Sequence, residues 1–137
     1  MVHGLEHLDA EPVATLATVR PDGLPHLVPI TFAVVGDVVV WAVDHKPKTT
    51  RRLRRIAHLE RDPRVTLLVS HYDDDWRALW WVRIEGTCRQ IVDDELQTRA
   101  RRALQEKYAQ YRARAPEGPY FAVNVQRTVH WRATDRD

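Results

Sequence analysis

The clearest alternation in the chain runs over residues 80–91. There Trp80, Val82, Ile84, Gly86 and Cys88 take one face, and Trp81, Arg83, Glu85, Thr87 and Arg89 take the other. That period of two predicts a long, half-buried strand. Residues 11–20 (EPVATLATVR) and 25–34 (PHLVPITFAV) are β-rich, and the Pro21-Asp22-Gly23 turn between them predicts a hairpin. A Gly36-Asp37 turn then leads to VVVWAV at 38–43, short and β-branched as a strand buried on both faces would be. Over 47–60 the spacing becomes helical: Thr49 or Thr50 can cap a helix in which Leu53, Ile56 and Ala57 share one face. Strand character returns at 65–72. Asp93 or Asp94 caps a second helix, with Leu96, Ala100, Ala103, Leu104, Tyr108 and Tyr111 as its packing stripe. The last strand, 120–131, sets Val123, Val125, Val129 and Trp131 against Asn124, Gln126, Thr128 and His130.

This order predicts a mainly β protein, a six-stranded antiparallel split β-barrel with two helices, rather than a doubly wound sheet. A chain of 137 residues suits one domain with one core, here residues 1–137. No apolar run approaches the roughly 18 residues of a membrane span. The first residues carry charges and histidines without an apolar stretch, so a cytoplasmic location with no membrane partner is expected. The single cysteine, Cys88, excludes an internal disulfide and a multi-thiolate metal site, and its strand context reads as a small buried hydrophobe.

A formal net charge of +2 implies no polyanionic partner, but the positive charge is unevenly placed. Between Lys46 and Arg55 (KPKTTRRLRR) six of ten residues are basic and none is acidic. On a helical projection Arg51, Arg54, Arg55 and His58 fall opposite Leu53, Ile56 and Ala57. Guanidinium forks, hydroxyls and free backbone N–H groups then converge where the helix dipole favours negative charge, and a phosphate suits them. A solvated basic face is the plainer reading. Nucleic-acid binding would need a broader basic surface interleaved with aromatics, and none is expected. Trp76, Trp80, Trp81 and Trp131 read as core or interface residues, or as walls of a flat pocket. The histidines lack metal-ligand spacing, Asp73 to Asp75 read as a solvated loop, and no metal is assigned. GxSxG, GxGxxG and Walker patterns are absent from the sequence.

The order of strand, Pro-Asp-Gly turn, strand ending in Pro29-Ile30-Thr31-Phe32, buried strand, basic helix and Asp62-Pro63-Arg64-Val65 resembles the pyridoxamine 5′-phosphate oxidase-like split-barrel superfamily, over about residues 8–131. Lys46-Pro47-Lys48-Thr49-Thr50 with Arg54-Arg55, then His71-Tyr72-Asp73-Asp74-Asp75-Trp76 and Trp80-Trp81-Val82-Arg83, resemble its deazaflavin-dependent branch. The resemblance implies an oxidoreductase that uses coenzyme F420, with FMN as the alternative cofactor, to move a hydride between the deazaflavin and a small conjugated substrate. By the same resemblance Arg55, with Leu59 and Pro63 downstream, contacts the cofactor phosphate and Arg54 is its basic neighbour. Lys48, Thr49, Thr50 and Arg51 complete the anion site, while Val28, Pro29 and Ile30 lie along the ring. Trp81 stands where vitamin-oxidising members carry a ring-contacting glutamine, which disfavours that activity. The family's twofold dimers imply a homodimer in which Trp80, Trp81 or Trp131 comes from the opposite subunit. Because the cofactor carries the chemistry, no catalytic residue is assigned; His26 and Tyr72 are conceivable proton donors that read more readily as structural. A non-catalytic cofactor carrier or nucleic-acid-binding module is the remaining alternative.

Overall fold

The computed structural model describes residues 5–43 and 50–134, without the side chains of residues 6 and 50–53. Seven strands form one antiparallel sheet: β1 (Ala14–Val19), β2 (Pro25–Ile30), β3 (Ala33–Val35), β4 (Val38–Ala42), β5 (Arg64–His71), β6 (Trp80–Gln90) and β7 (Tyr120–Arg132). Their spatial order is β2-β1-β5-β6-β7-β4-β3, and the sheet curls into a half-barrel. Among the described residues three helices accompany it, α1 (Thr50–Arg61), α2 (Asp94–Lys107) and α3 (Ala109–Ala113), with short 3-10 segments at Glu6–Ala10 and Trp76–Ala78.

Seven strands replace the expected six because 25–34 is not one strand. It breaks at Thr31-Phe32, so that β2 pairs with β1 and β3 with β4 at the opposite edge of the sheet. A break in a strand leaves backbone groups that need partners. The Tyr108 hydroxyl accepts from the Phe32 N–H at 3.0 Å, and its own proton faces the Pro12 carbonyl at 2.8 Å and the Phe32 carbonyl at 3.0 Å. Burial pushes that phenol up to about 12, so the proton stays available. Tyr108 also ends α2, its backbone being extended at φ −118° and ψ 121°. The expected second helix is therefore two, and Thr31 Oγ1 and Tyr111 Oη share a hydrogen bond of 3.0 Å across the gap. The cap is as expected: Asp93 accepts from the Leu96 N–H at 2.8 Å.

A bulge divides the long β6–β7 ribbon. Glu85 lies opposite Arg127 but Gly86 lies opposite Val125, which leaves Gln126 without a counterpart. The residue at 86 must lack a side chain, since a Cβ there would sit 2.1 Å from the Asn124 carbonyl oxygen. The extra residue also reverses the facing of β7. Val123 and Val125 point inward with Cys88 and Gly86, whereas beyond the bulge Thr128 and His130 oppose Ile84 and Val82 on that side. Val129 and Trp131 are thereby turned outward, opposite Arg83 and Trp81. The single continuous apolar face expected for the last strand is thus split.

The concave face holds the main core, including Leu16, Phe32, Trp41, Leu67, Val82, Ile84 and Val123. Leu59 of α1 and Leu5 and Leu8 of the N-terminal segment close it. Cys88 is buried there, and burial pushes its thiol up to about 12, which bears out a packing role rather than a nucleophilic one. On the convex face α2 and α3 cover β3, β4 and the start of β7, where Ala100, Leu104 and Tyr111 meet Ala33, Val40, Tyr120 and Ala122. The other half of that face has no such cover among the described residues, and Leu27, Leu68 and Trp131 stand exposed on it. No helix among the described residues is long and apolar enough to cross a membrane.

Candidate functional site

Helix α1 carries the described part of the basic cluster. Its docked side differs from the one expected: His58 and Leu59 are buried, Arg55 and Ile56 are half-buried, and Ala57 faces solvent. The reason lies in what each polar side chain meets. His58 Nδ1 and Thr18 Oγ1 of β1 share a 3.1 Å hydrogen bond, and the His26 ring of β2 abuts the His58 ring edge-on at 5.1 Å. Burial first, and then the positive charge of His26, Arg61, Arg20 and Arg54, holds the His58 imidazole below its ordinary value. It therefore packs as a neutral ring and does not join the anion-gripping side.

Arg54 and Arg55 separate in role. Arg54 is exposed, whereas the Arg55 guanidinium lies over the Trp41 ring, 5.3 Å from its centre. Trp41 is itself fully buried and stacked on Phe121 at 4.4 Å. Arg55 thus sets its guanidinium over an aromatic ring of the concave core, a cation–π contact. Arg54 stands one residue away, free to meet a ligand from solution. Of the other expected anion-site residues, Lys48 and Thr49 lie outside the described residues. Thr50 and Arg51 are placed by their backbone alone, in the first turn of α1, which contains no acidic residue.

The three expected ring-contact residues straddle β2. Val28 and Ile30 face the concave side with Leu16 and Ala14, and exposed Pro29 faces outward opposite Thr15. Because β2 is an edge strand, it pairs on one side only and keeps a row of backbone donors and acceptors on the other. Proline, which has no N–H, fits such a strand. Trp81 and Trp131 sit elsewhere again. They oppose each other directly across β6 and β7 on the convex face, with the Arg83 guanidinium 5.7 Å from the Trp81 ring centre. Since α1 packs on the concave side, one protomer does not bring its Trp81 and Trp131 to its own Arg54 and Arg55.

The described residues border open clefts, two of which are formed by β-strand ends. One, of about 300 Å³, is bordered by Gly23, Pro25, Thr66 and Arg64. Arg64 is committed to Asp62 through contacts of 3.0 and 2.7 Å, which hold the Asp62 carboxyl at about 2. The other, of about 360 Å³, lies between the start of β6 and the end of β7 and is bordered by His7, Arg77, Trp80 and Arg132. The sequence reading missed this second cleft, because its basic residues are isolated in the chain and only the Trp80–Arg132 pairing gathers them. Groups of three or more His, Cys, Asp or Glu able to hold a metal ion are absent among the described residues.

The family described as pyridoxamine 5′-phosphate oxidase matches residues 5–135. No curated protein matches the chain. Among solved structures, a conserved hypothetical protein from Mycobacterium tuberculosis is similar at 23% identity and a TM-score of 0.75, over 97% of this chain and 86% of that one. A FAD-binding protein from Mesorhizobium loti is similar at 18% identity and a TM-score of 0.67, over 91% of this chain and 87% of that one. A heme binding protein from Mycobacterium smegmatis is similar at 20% identity and a TM-score of 0.66, over 97% of this chain and 60% of that one. At these identities the likeness is one of fold.

Proposed function

The chain belongs to the pyridoxamine 5′-phosphate oxidase family, and from that premise we propose that it is an F420-dependent oxidoreductase acting as a homodimer. A small conjugated molecule is the substrate. The observation that carries the reading is the division of labour on α1, where Arg55 is anchored over Trp41 and Arg54 beside it faces solvent. A guanidinium held in place by an aromatic ring presents its donors to a phosphate with little further loss of freedom.

The donor set fits a phosphorylated flat cofactor. Arg54 and Arg55, with Lys48, Thr49, Thr50 and Arg51, hold the anionic tail. The free edge of β2, between Val28 and Ile30, offers the Pro29 carbonyl as an acceptor to the polar rim of a ring. When bound, the cofactor supplies the hydride chemistry; the chain's residues bind it, orient it and leave one ring face open. Trp81 and Trp131, on the far side of the sheet from α1, serve the site of the second copy. The uncovered convex face, with Leu27, Leu68 and Trp131, supports pairing there. FMN, which carries a phosphate and a similar ring, is the alternative, and the FAD- and heme-binding relatives keep a carrier role in view.

Separate titrations with F420, FMN, FAD and heme, followed by fluorescence or absorbance, test the reading. F420 is expected to bind at micromolar concentration or below. Arg54→Glu is expected to weaken it at least about tenfold through loss of a charge-assisted contact, with the thermal melt unchanged. Binding of FMN alone moves the assignment to the alternative; binding of none of the four overturns it.

A further inference from the structure

The cleft of about 360 Å³ at the opposite end of the barrel has the chemistry of a second ligand site. Arg55 rests on Trp41, which pairs with Phe121 and through it with Gln90 at the end of β6, whereas the cleft opens at Trp80, where β6 begins. At about 3.3 Å per strand residue the two lie roughly 30 Å apart along that strand within one protomer. We propose that this cleft binds a small organic carboxylate.

Four observations converge on that ligand. The lining holds two guanidiniums, Arg77 and Arg132, and no Asp or Glu. Arg77 is fixed in direction by Asp75, through Nε at 3.0 Å and Nη2 at 3.1 Å, which leaves its remaining N–H donors unspent on that carboxylate. Arg132, set directly opposite Trp80, has no ion pair among the described residues. The Thr134 hydroxyl and the His7 imidazole add polar atoms at the rim.

The wall facing these groups is apolar and held rigidly. Trp80 stacks on His71 at 5.8 Å and 11°, and meets His7 edge-on at 5.4 Å. His71 is pinned in turn by Glu11, with Nδ1 and Oε2 at 2.9 Å. The Ala133 N–H donates to the Leu79 carbonyl at 3.0 Å and ties the two walls together. A guanidinium fork pairs with a carboxylate in bidentate fashion, and an indole wall shelters a hydrocarbon body. A bare inorganic anion would leave that wall uncovered. The volume is at the lower end for small-molecule sites, which limits the ligand to about one ring.

Calorimetric titration of the full chain with benzoate, benzamide and inorganic phosphate tests this. Saturable benzoate binding is expected, with benzamide and phosphate at least about tenfold weaker, because each lacks half of the recognition. Arg132→Gln is expected to lower benzoate affinity about tenfold, and Arg54→Glu to leave it unchanged, which separates this site from the cofactor site on α1. The circular dichroism melt of Arg132→Gln verifies that the variant folds. Failure of benzoate to saturate, phosphate binding as tightly as benzoate, or Arg132→Gln binding like the parent chain would each overturn the assignment.

Discussion

The two halves of the convex sheet face have the same backbone and opposite fates. Beside β3, β4 and the start of β7 the outward residues are alanines, valines and Tyr120, and α2 and α3 bury them with Ala100, Leu104 and Tyr111. Beside β2, β1, β5, β6 and the end of β7 the outward residues mix Leu27, Leu68, Trp81 and Trp131 with Arg83, Glu85 and Arg127, and no helix covers them among the described residues. Glu85 is shared there by Arg83 and Arg127, each at 3.3 Å. The first half reads as a protein interior. The second mixes exposed apolar side chains with charged ones, Arg83 lying between Leu68 and Val129, and the proposed dimer is placed on it. The bulge at Gly86 is the border between them, since it turns Val129 and Trp131 outward.

Breaking that border is expected to have the largest effect. Gly86→Val places a branched side chain against the Asn124 carbonyl, a backbone atom that cannot swing away. A loss of about 4 kcal/mol or more in urea unfolding is expected, together with loss of the register that separates the halves. Next, Leu104→Ala on the covered half should cost about 2–5 kcal/mol, because a fully buried leucine leaves a cavity between α2 and the sheet. The matching change on the bare half, Trp131→Ala, should cost the isolated protomer only about 1 kcal/mol. Its readout is sedimentation: a shift from dimer to monomer sharpens the contrast, and an unchanged dimer would mean that the pairing lies elsewhere.

The smallest effect concerns the concave side behind each half. Behind the covered half lie Val39, Trp41 and Phe121; behind the bare half Thr18 and His58 meet as a buried polar pair. His58 has its pKa lowered in the folded chain from the usual 6.5, so unfolding takes up a proton once the pH falls to that region. Stability from this group is therefore present above about 6.5 and is lost as the pH falls through the folded value. Urea midpoints measured between pH 7.5 and 5 should decline, and His58→Gln should flatten the decline.

Features whose causes are local were legible in the sequence. The Pro-Asp-Gly hairpin, the face assignment of β6 and the Asp93 cap rest on neighbouring residues, and all three stand in the structure. Features caused at a distance were not. The break at Thr31-Phe32 depends on a hydroxyl at Tyr108, and the reversal in β7 depends on its partner strand. The docked side of α1 was misjudged because residue type drew the apolar side through Ala57, while the helix settles by what His58 and Arg55 find to touch. The arginine run was legible as an anion-binding candidate, but the split between Arg54 and Arg55 needed the position of Trp41. The second cleft left no pattern in the chain, since a strand pairing assembles it.

Strands β2 and β3 are the two margins of the sheet, yet only Thr31 and Phe32 separate them along the chain. With Cα atoms about 3.8 Å apart, the margins cannot part by more than roughly 11 Å at that corner. The tether works like the spine of a book: the seam can gape widely only toward its far end. A sheet that would otherwise offer two sticky borders to its neighbours in a crowded solution keeps a stretch of each turned toward the other.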